Sequence, residues 1–199
     1  DLLFEINTSN QIYVNNININ GNTRTQDYVI RRELDIFEGD AFILNDVNTL
    51  RKKVNSTGFF EEVQVTQKQL GESLVNIDIS VKENQTGTFT AGASFGTLDG
   101  ITLVTGLNES NFFGTGRNVE FLINSSEDNS EYKFNTSNKF FLNKDISLSY
   151  GISFKESDFS KSSSYEIDKY TFSSGLSYEF QNNLYHALTL SYELEDIYV

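Results

Sequence analysis

From Gly87 onward the chain alternates apolar and polar residues in segments roughly ten residues long, and this period of two limits it to strands with two unlike faces. The clearest segment sets Ile146, Leu148, Tyr150, Ile152 and Phe154 against Ser147, Ser149, Gly151 and Ser153. Phe89, Ala91, Ala93 and Phe95 alternate in the same way with Thr88, Thr90, Gly92 and Ser94. The pattern returns at Phe172, Leu176, Tyr178 and Phe180, and at Leu188, Leu190, Tyr192 and Leu194. Residues 101–109, 117–124 and 131–140 are less regular but complete a set of seven expected strands. Repetition of this kind is the signature of an antiparallel β-barrel crossing a lipid bilayer. A soluble β-sandwich also alternates. The even strand lengths favour the barrel, as do inner positions read as Ser, Thr, Gly and Asn throughout.

Charge and composition narrow the function. Fifteen Lys and Arg against 28 Asp and Glu give the 199 residues a net charge of −13, which argues against a general nucleic-acid binder. No apolar run is long enough for a transmembrane helix. A mean hydropathy of −0.37 fits a barrel, whose lumen-facing residues are polar. Cysteine is absent, which excludes disulfides and thiolate metal sites. His186, the only histidine, falls on an expected lipid-facing or interfacial strand position, without the neighbours a metal needs. Gly114-Thr115-Gly116 lacks the Gly-Lys-Ser/Thr of a phosphate loop. Glu127, Asp128 and Glu131 read as a solvated external loop. No catalytic residue, cofactor or metal is expected. With neither an initiating Met nor a signal sequence, the chain is expected to start inside a longer protein.

The rhythm before Glu83 is mixed. Residues 1–7 read as the remnant of a strand. Ile12, Val14, Ile17 and Ile19 mark a strand over 11–20, closed by the turn residues Gly21-Asn22. Thr25 is placed to cap a helix over 25–34, with Val29, Ile30, Leu34 and Phe37 on its apolar side. A second helix starts near Asn45, carries Val47, Leu50 and Val54, and ends at Gly58. Strands over 59–69 and 74–83 follow; in the latter Val75, Ile77, Ile79 and Val81 alternate with polar residues. The expectation is an α+β unit of order β-α-α-β-β over 11–84. Residues 1–10 close a preceding unit, and membrane strands occupy 85–199.

The connections between the seven strands suggest an orientation. Those near 110–116, 139–144 and 181–184 adjoin the aromatic residues Phe112-Phe113, Phe140-Phe141, and Phe180 with Tyr185. The alternate ones, near 97–100, 125–130 and 156–166, are polar. Aromatic girdles mark membrane interfaces and external loops run longer, so the aromatic set is expected to be periplasmic.

Several motifs in this order resemble a known family. Gly21-Asn22, Arg31-Arg32-Glu33, Glu38-Gly39 and Gly58-Phe59-Phe60-Glu61 look like a POTRA domain, the periplasmic module of outer-membrane assembly proteins. Val81-Lys82-Glu83, Thr86-Gly87 and Asn111-Phe112-Phe113-Gly114-Thr115-Gly116 resemble its junction with the barrel and the first periplasmic turn. The likeness is to the BamA-type outer-membrane β-barrel assembly family, across its last POTRA domain and early barrel strands. Family barrels have roughly sixteen strands, so about seven strands imply a fragment whose closing strand lies elsewhere.

The resemblance implies insertion of unfolded outer-membrane β-barrel proteins into the outer membrane without nucleotide hydrolysis. The POTRA unit would lie in the periplasm, with accessory lipoproteins and outer-membrane lipid as partners. It assigns strand 87–96, with Gly87, Phe89, Gly92, Phe95 and Gly96, to one side of a lateral seam. Those glycines either weaken a strand that must open or relieve its curvature. Phe59, Phe60, Val63 and Val65 mark a candidate edge strand for nascent chains. Arg31, Arg32 and Glu33 are candidates for lipoprotein docking, and Asn111, Gly114 and Gly116 for the periplasmic turn. The alternative within the same wider family is a polypeptide-secreting outer-membrane transporter. A passive porin would lack the POTRA-like segment, and a soluble sandwich would be extracted without detergent.

Overall fold

The β-branched run Val75, Ile77, Ile79 and Val81 supplies one buried face of a strand at the centre of the first sheet. The computed structural model describes residues 11–43, 46–97, 100–181 and 184–199. It divides into two units at Gln85/Thr86. The expected strand at 1–7, and the assignment of 1–10 to a preceding unit, lie outside the described residues.

The first unit runs β1 (Ile12–Asn20), α1 (Asp27–Arg31), β2 (Ala41–Phe42), α2 (Asp46–Ser56), β3 (Phe60–Leu70) and β4 (Leu74–Glu83). This is the expected β-α-α-β-β order with one short strand added. The sheet order is β2-β1-β4-β3, with β1 and β4 parallel and the outer pairs antiparallel. Val14 and Ile17 of β1, Val63 of β3 and the β4 run share one core with Val29, Ile30, Leu50 and Val54 from the helices. Fully burying one such aliphatic side chain contributes about 1.5–3 kcal/mol.

The first helix departs from its expected form. It spans Asp27–Arg31 only, and its N-cap is Gln26, not Thr25. Thr25 is instead buried, with its backbone N–H and hydroxyl donating to the Glu83 carboxylate at 2.8 and 3.2 Å. Beyond Arg31 the chain tightens into i→i−3 bonds, Glu33 N–H to Ile30 O and Leu34 N–H to Arg31 O. Asp35 then takes a left-handed conformation, φ 51°, which ends the turn. Leu34 still reaches the core, but Phe37 lies past the break and is 66% exposed, not on an apolar helix face.

The second unit is an antiparallel meander of seven strands. These are β5 (Gly87–Gly96), β6 (Gly100–Glu109), β7 (Arg117–Ser125), β8 (Asn129–Asn138), β9 (Ile146–Asp158), β10 (Glu166–Gln181) and β11 (Leu184–Tyr198). They pair in chain order, β5 at one edge and β11 at the other. Their register builds two continuous faces. On one, Leu107, Phe121, Phe134, Ile152, Phe172 and Tyr192 stand in cross-strand register from β6 to β11. Phe89 of β5 pairs with Leu107 and extends that band to the edge. The band has the composition of a lipid-facing surface. His186 sits on it, its ring 5.4 Å from Tyr178 and 5.0 Å from Phe180.

The opposite face is polar but not limited to small residues, as the sequence suggested. Asn135 donates to Glu120 at 3.1 Å, Lys133 pairs with Glu131 at 2.8 Å, and Lys169 with Glu193 at 2.8 Å. Long charged side chains belong there because a lumen-facing position keeps contact with water. The connections also break the simple length rule. Residues 110–116 and 139–145 are as long as 159–165, where rings of Phe159 and Tyr165 close the loop at 5.1 Å.

Gly21 makes the tightest backbone approach in the first unit. Its φ is +91°, and an added Cβ would lie 2.0 Å from the Val81 carbonyl oxygen. Gly21→Ala is expected to destabilise this unit by about 3 kcal/mol. Urea unfolding followed by circular dichroism measures the change.

Candidate functional site

A strand at a sheet edge carries a row of backbone N–H and C=O groups that can template another strand. β5 occupies that place, paired with β6 from Gly87↔Glu109 to Gly96↔Gly100 and, among the described residues, with nothing on its other side. Phe89 and Phe95 stand exposed on the apolar face. The glycines of β5 differ in surroundings. A Cβ on Gly87 would meet the end of the flexible Glu109 side chain at 2.9 Å, which would have to shift. A Cβ on Gly92 would meet nothing within 4 Å. Elsewhere in the sheet Gly151 and Gly175 admit serine hydroxyls that would lie 2.6 Å from a Cβ. Gly92 therefore weakens β5 without making room for a neighbour.

The start of β5 is held more firmly. Ser110 donates to the Thr86 carbonyl through both its N–H and its hydroxyl, each at 3.2 Å. Glu109 Oε1 accepts from Asn111 N–H at 2.8 Å, and buried Asn111 accepts from Gly116 N–H through Oδ1 at 2.8 Å. Two of the three expected turn residues, Asn111 and Gly116, thus meet directly. Gly114 takes φ +70° in the turn itself.

That turn has a twin. Thr115 N–H bonds to Phe112 O at 3.1 Å, and Lys144 N–H to Phe141 O at 3.2 Å. The two residues inside each turn are left-handed: Phe113 at φ 51° and Gly114 at 70°, Leu142 at 56° and Asn143 at 58°. These are type I′ turns, whose twist suits antiparallel strands and whose ordinary residues are Asn and Gly. Gly114 and Asn143 meet that demand, whereas Phe113 and Leu142 each add strain of about 1 kcal/mol.

The first unit carries the other expected sites. β3 lies at the edge of its sheet, but Phe59, which precedes the strand, Phe60 and Val63 are buried, and Val65 packs on the core. What this edge can offer is backbone, broken by a bulge between Phe60 and Glu62 and flanked by Glu61 bound to Lys82 at 2.8 Å. Arg31 is drawn inward. Its guanidinium bonds Asp27 at 2.5 Å, Glu38 at 3.0 Å and the Ile17 carbonyl at 2.9 Å. The Asp27 bond leads in holding Arg31 above its ordinary pKa. Glu38 is held below the usual carboxylate value, first by its own backbone N–H and then by Arg31. Arg32 lies 5.7 Å from the Tyr28 ring centroid and 3.8 Å from Glu33, and burial lowers its pKa. The three candidates are adjacent in sequence but not equivalent, since Arg31 braces the fold.

Sequence reasoning gave Glu109 no role and placed Glu83 only in the junction motif. Glu83 holds Arg24 and Thr25 across 59 and 58 residues, so no local pattern announces the contact.

Residues 12–84 match the POTRA family, surface antigen variable number repeat, and residues 111–199 match the Omp85 superfamily domain. The chain is 27% identical over 195 residues to the outer membrane protein assembly factor BamA of Neorickettsia risticii, covering 98% of this chain and 26% of that protein. It is 28% identical over 165 residues to the factor of the same name from Neisseria meningitidis serogroup B, covering 82% and 21%. Among solved structures it resembles BamA from Haemophilus ducreyi lacking POTRA domains 1–3, with a TM-score of 0.79 and 25% identity over 94% of this chain and 36% of that one. CdiB from Acinetobacter baumannii shares the fold at a TM-score of 0.62 and 14% identity, covering 94% and 39%. The chain spans about a quarter of the length of the curated relatives it matches.

Removing the Asn111 side chain leaves the buried Gly116 N–H without its acceptor. Asn111→Ala is expected to cost about 2 kcal/mol of barrel stability. The midpoint of heat-dependent gel migration of the full-length protein reads that loss.

Proposed function

We propose, from the POTRA match over 12–84 and the Omp85 match over 111–199, that the chain is an Omp85-superfamily protein that assembles β-barrel proteins and inserts them into the outer membrane. The strands lie in the outer membrane and the POTRA unit in the periplasm. In the proposed mechanism β5 is one side of a lateral seam. When the seam opens, its edge pairs with a strand of an unfolded outer-membrane β-barrel protein, as in β-augmentation. The incoming strand thereby satisfies its backbone groups inside lipid, where leaving them bare costs several kcal/mol each. The step is pairing and release of strands, and it needs no catalytic residue and no cofactor.

The observation that carries this reading is the contrast along β5: a start fastened through Ser110 to Thr86, then Gly92 with no packing reason for glycine. A seam must be anchored to its own barrel and weak toward its partner. The exposed backbone edge of β3 offers an earlier, periplasmic landing place for the same substrates. Arg32 and Glu33, with half-exposed Tyr28 beside them, form the surface assigned to an accessory lipoprotein; Arg31 supports it from behind.

Depleting the full-length protein in its host should lower outer-membrane barrel content generally. Loss of one secreted polypeptide with barrels intact would overturn the proposal in favour of secretion. At the residue level, Gly92→Val should stabilise β5 by about 0.5–1 kcal/mol, up to about fivefold in the opening equilibrium. Substrate folding into proteoliposomes should slow accordingly, and an unchanged rate would contradict a seam role for β5.

A further inference from the structure

The twin turns place strained apolar residues where they bury nothing within the sheet. Phe113 is 81% exposed and Leu142 72% exposed, although both occupy a left-handed position that Asn or Gly would fill without strain. Phe113 touches Phe112, ring centroids 4.3 Å apart, yet stays open on its outer side. Both turns lie at one end of the sheet, joining β6 to β7 and β8 to β9. The same end carries Phe180 and Tyr185, exposed beside the β10–β11 connection.

Charge divides along the same axis. Arg117, Lys139 and Lys144 are exposed at the turn end and hold no ion pair among the described residues. Exposed Asp145 and Glu179 are there too, while Glu109 is engaged with Asn111. At the opposite end Glu156, Asp168 and Asp196 stand in direct cross-strand register. In a chain of net charge −13, three cations without an ion pair among the described residues thus stand beside the two apolar turn tips, while exposed Lys155 lies toward the opposite end. Apolar tips with cations set around them suit the boundary between acyl chains and phosphate headgroups.

We propose that these turns are lipid anchors: Phe113 and Leu142 insert at the acyl boundary of the periplasmic leaflet, and Arg117, Lys139 and Lys144 bind its headgroup phosphates. The anchor lies at the ends of the strands, and Phe141 of the second turn lines a pocket with Leu148 and Tyr150 of the lipid-facing band. The type I′ geometry carries the side chains past the last ladder bonds, which explains why strain is kept at these positions. Two anchors on alternate hairpins would fix the depth of β6 to β9 in the leaflet while β5 stays free to move. This rests on the reading of the strands as an outer-membrane barrel with this end periplasmic.

The test uses the full-length protein, with other cysteines removed, in vesicles of phosphatidylethanolamine and phosphatidylglycerol. Nitroxide labels are placed at Phe113→Cys, Leu142→Cys and, within the apolar band, Phe134→Cys. Collisions with oxygen and with a water-soluble nickel chelate report depth. All three labels should favour oxygen, Phe134→Cys most strongly. In the Lys139→Gln/Lys144→Gln background the Leu142→Cys label should shift severalfold toward the chelate, and an unchanged ratio would overturn the role given to the lysines. Labels at 113 and 142 that favour the chelate while the 134 label favours oxygen would overturn the anchor and leave the barrel standing. A 134 label that also favours the chelate would overturn the barrel reading and the anchor with it. Where a cysteine variant does not fold, Phe113→Trp and Leu142→Trp give the same comparison through quenching by lipids brominated near the headgroup.

Discussion

Hydrocarbon offers no partner for a peptide N–H or C=O, so a sheet in a bilayer must satisfy its backbone through neighbouring strands. That constraint organises the second unit. Every strand between β6 and β10 is paired on both sides, and the register builds one continuous apolar band across all seven strands. β5 and β11 are the strands where the constraint is incomplete within the described residues, and for the proposed function the β5 edge is the working part. An edge that lipid cannot satisfy is an edge that accepts a strand.

The supporting structure is graded around that edge. Ser110 ties Thr86, at the start of β5, to the first turn, which Glu109 and Asn111 brace internally, while Gly92 has no such fastening among the described residues. In the first unit the balance favours rigidity. Arg31 links α1 to Glu38 and the backbone of β1, and Glu83 binds the segment that leads into α1. These bonds brace the POTRA unit up to the residues that lead into β5.

The sequence was most informative where one residue's environment follows from its own periodicity. Alternation over 87–96 and 146–154 marked strands and also which side chains meet lipid, because a period of two leaves no freedom about facing. The β4 run was legible for the same reason. Periodicity failed where distant groups decide. Thr25 has the chemistry of a helix cap, but Glu83 binds its N–H from the far end of the unit. The helix over 25–34 stops early because beyond Arg31 the chain tightens into i→i−3 bonds, before Asp35 turns left-handed, a backbone choice its residue type permits but does not announce. The valines and phenylalanines of β3 were legible as a strand, yet an apolar residue on an edge strand can still belong entirely to the core. Phe113 was visible as an apolar turn residue and Leu142 was not singled out; the left-handed backbone that makes both costly was not legible.

Hydrogen–deuterium exchange of the full-length protein in lipid bilayers tests the proposed seam most directly. The account predicts that amides of β5 from Gly92 onward exchange faster than those of β8, and that adding an unfolded barrel substrate protects them. Slow exchange in β5 equal to that in β8, unchanged by substrate, would contradict it.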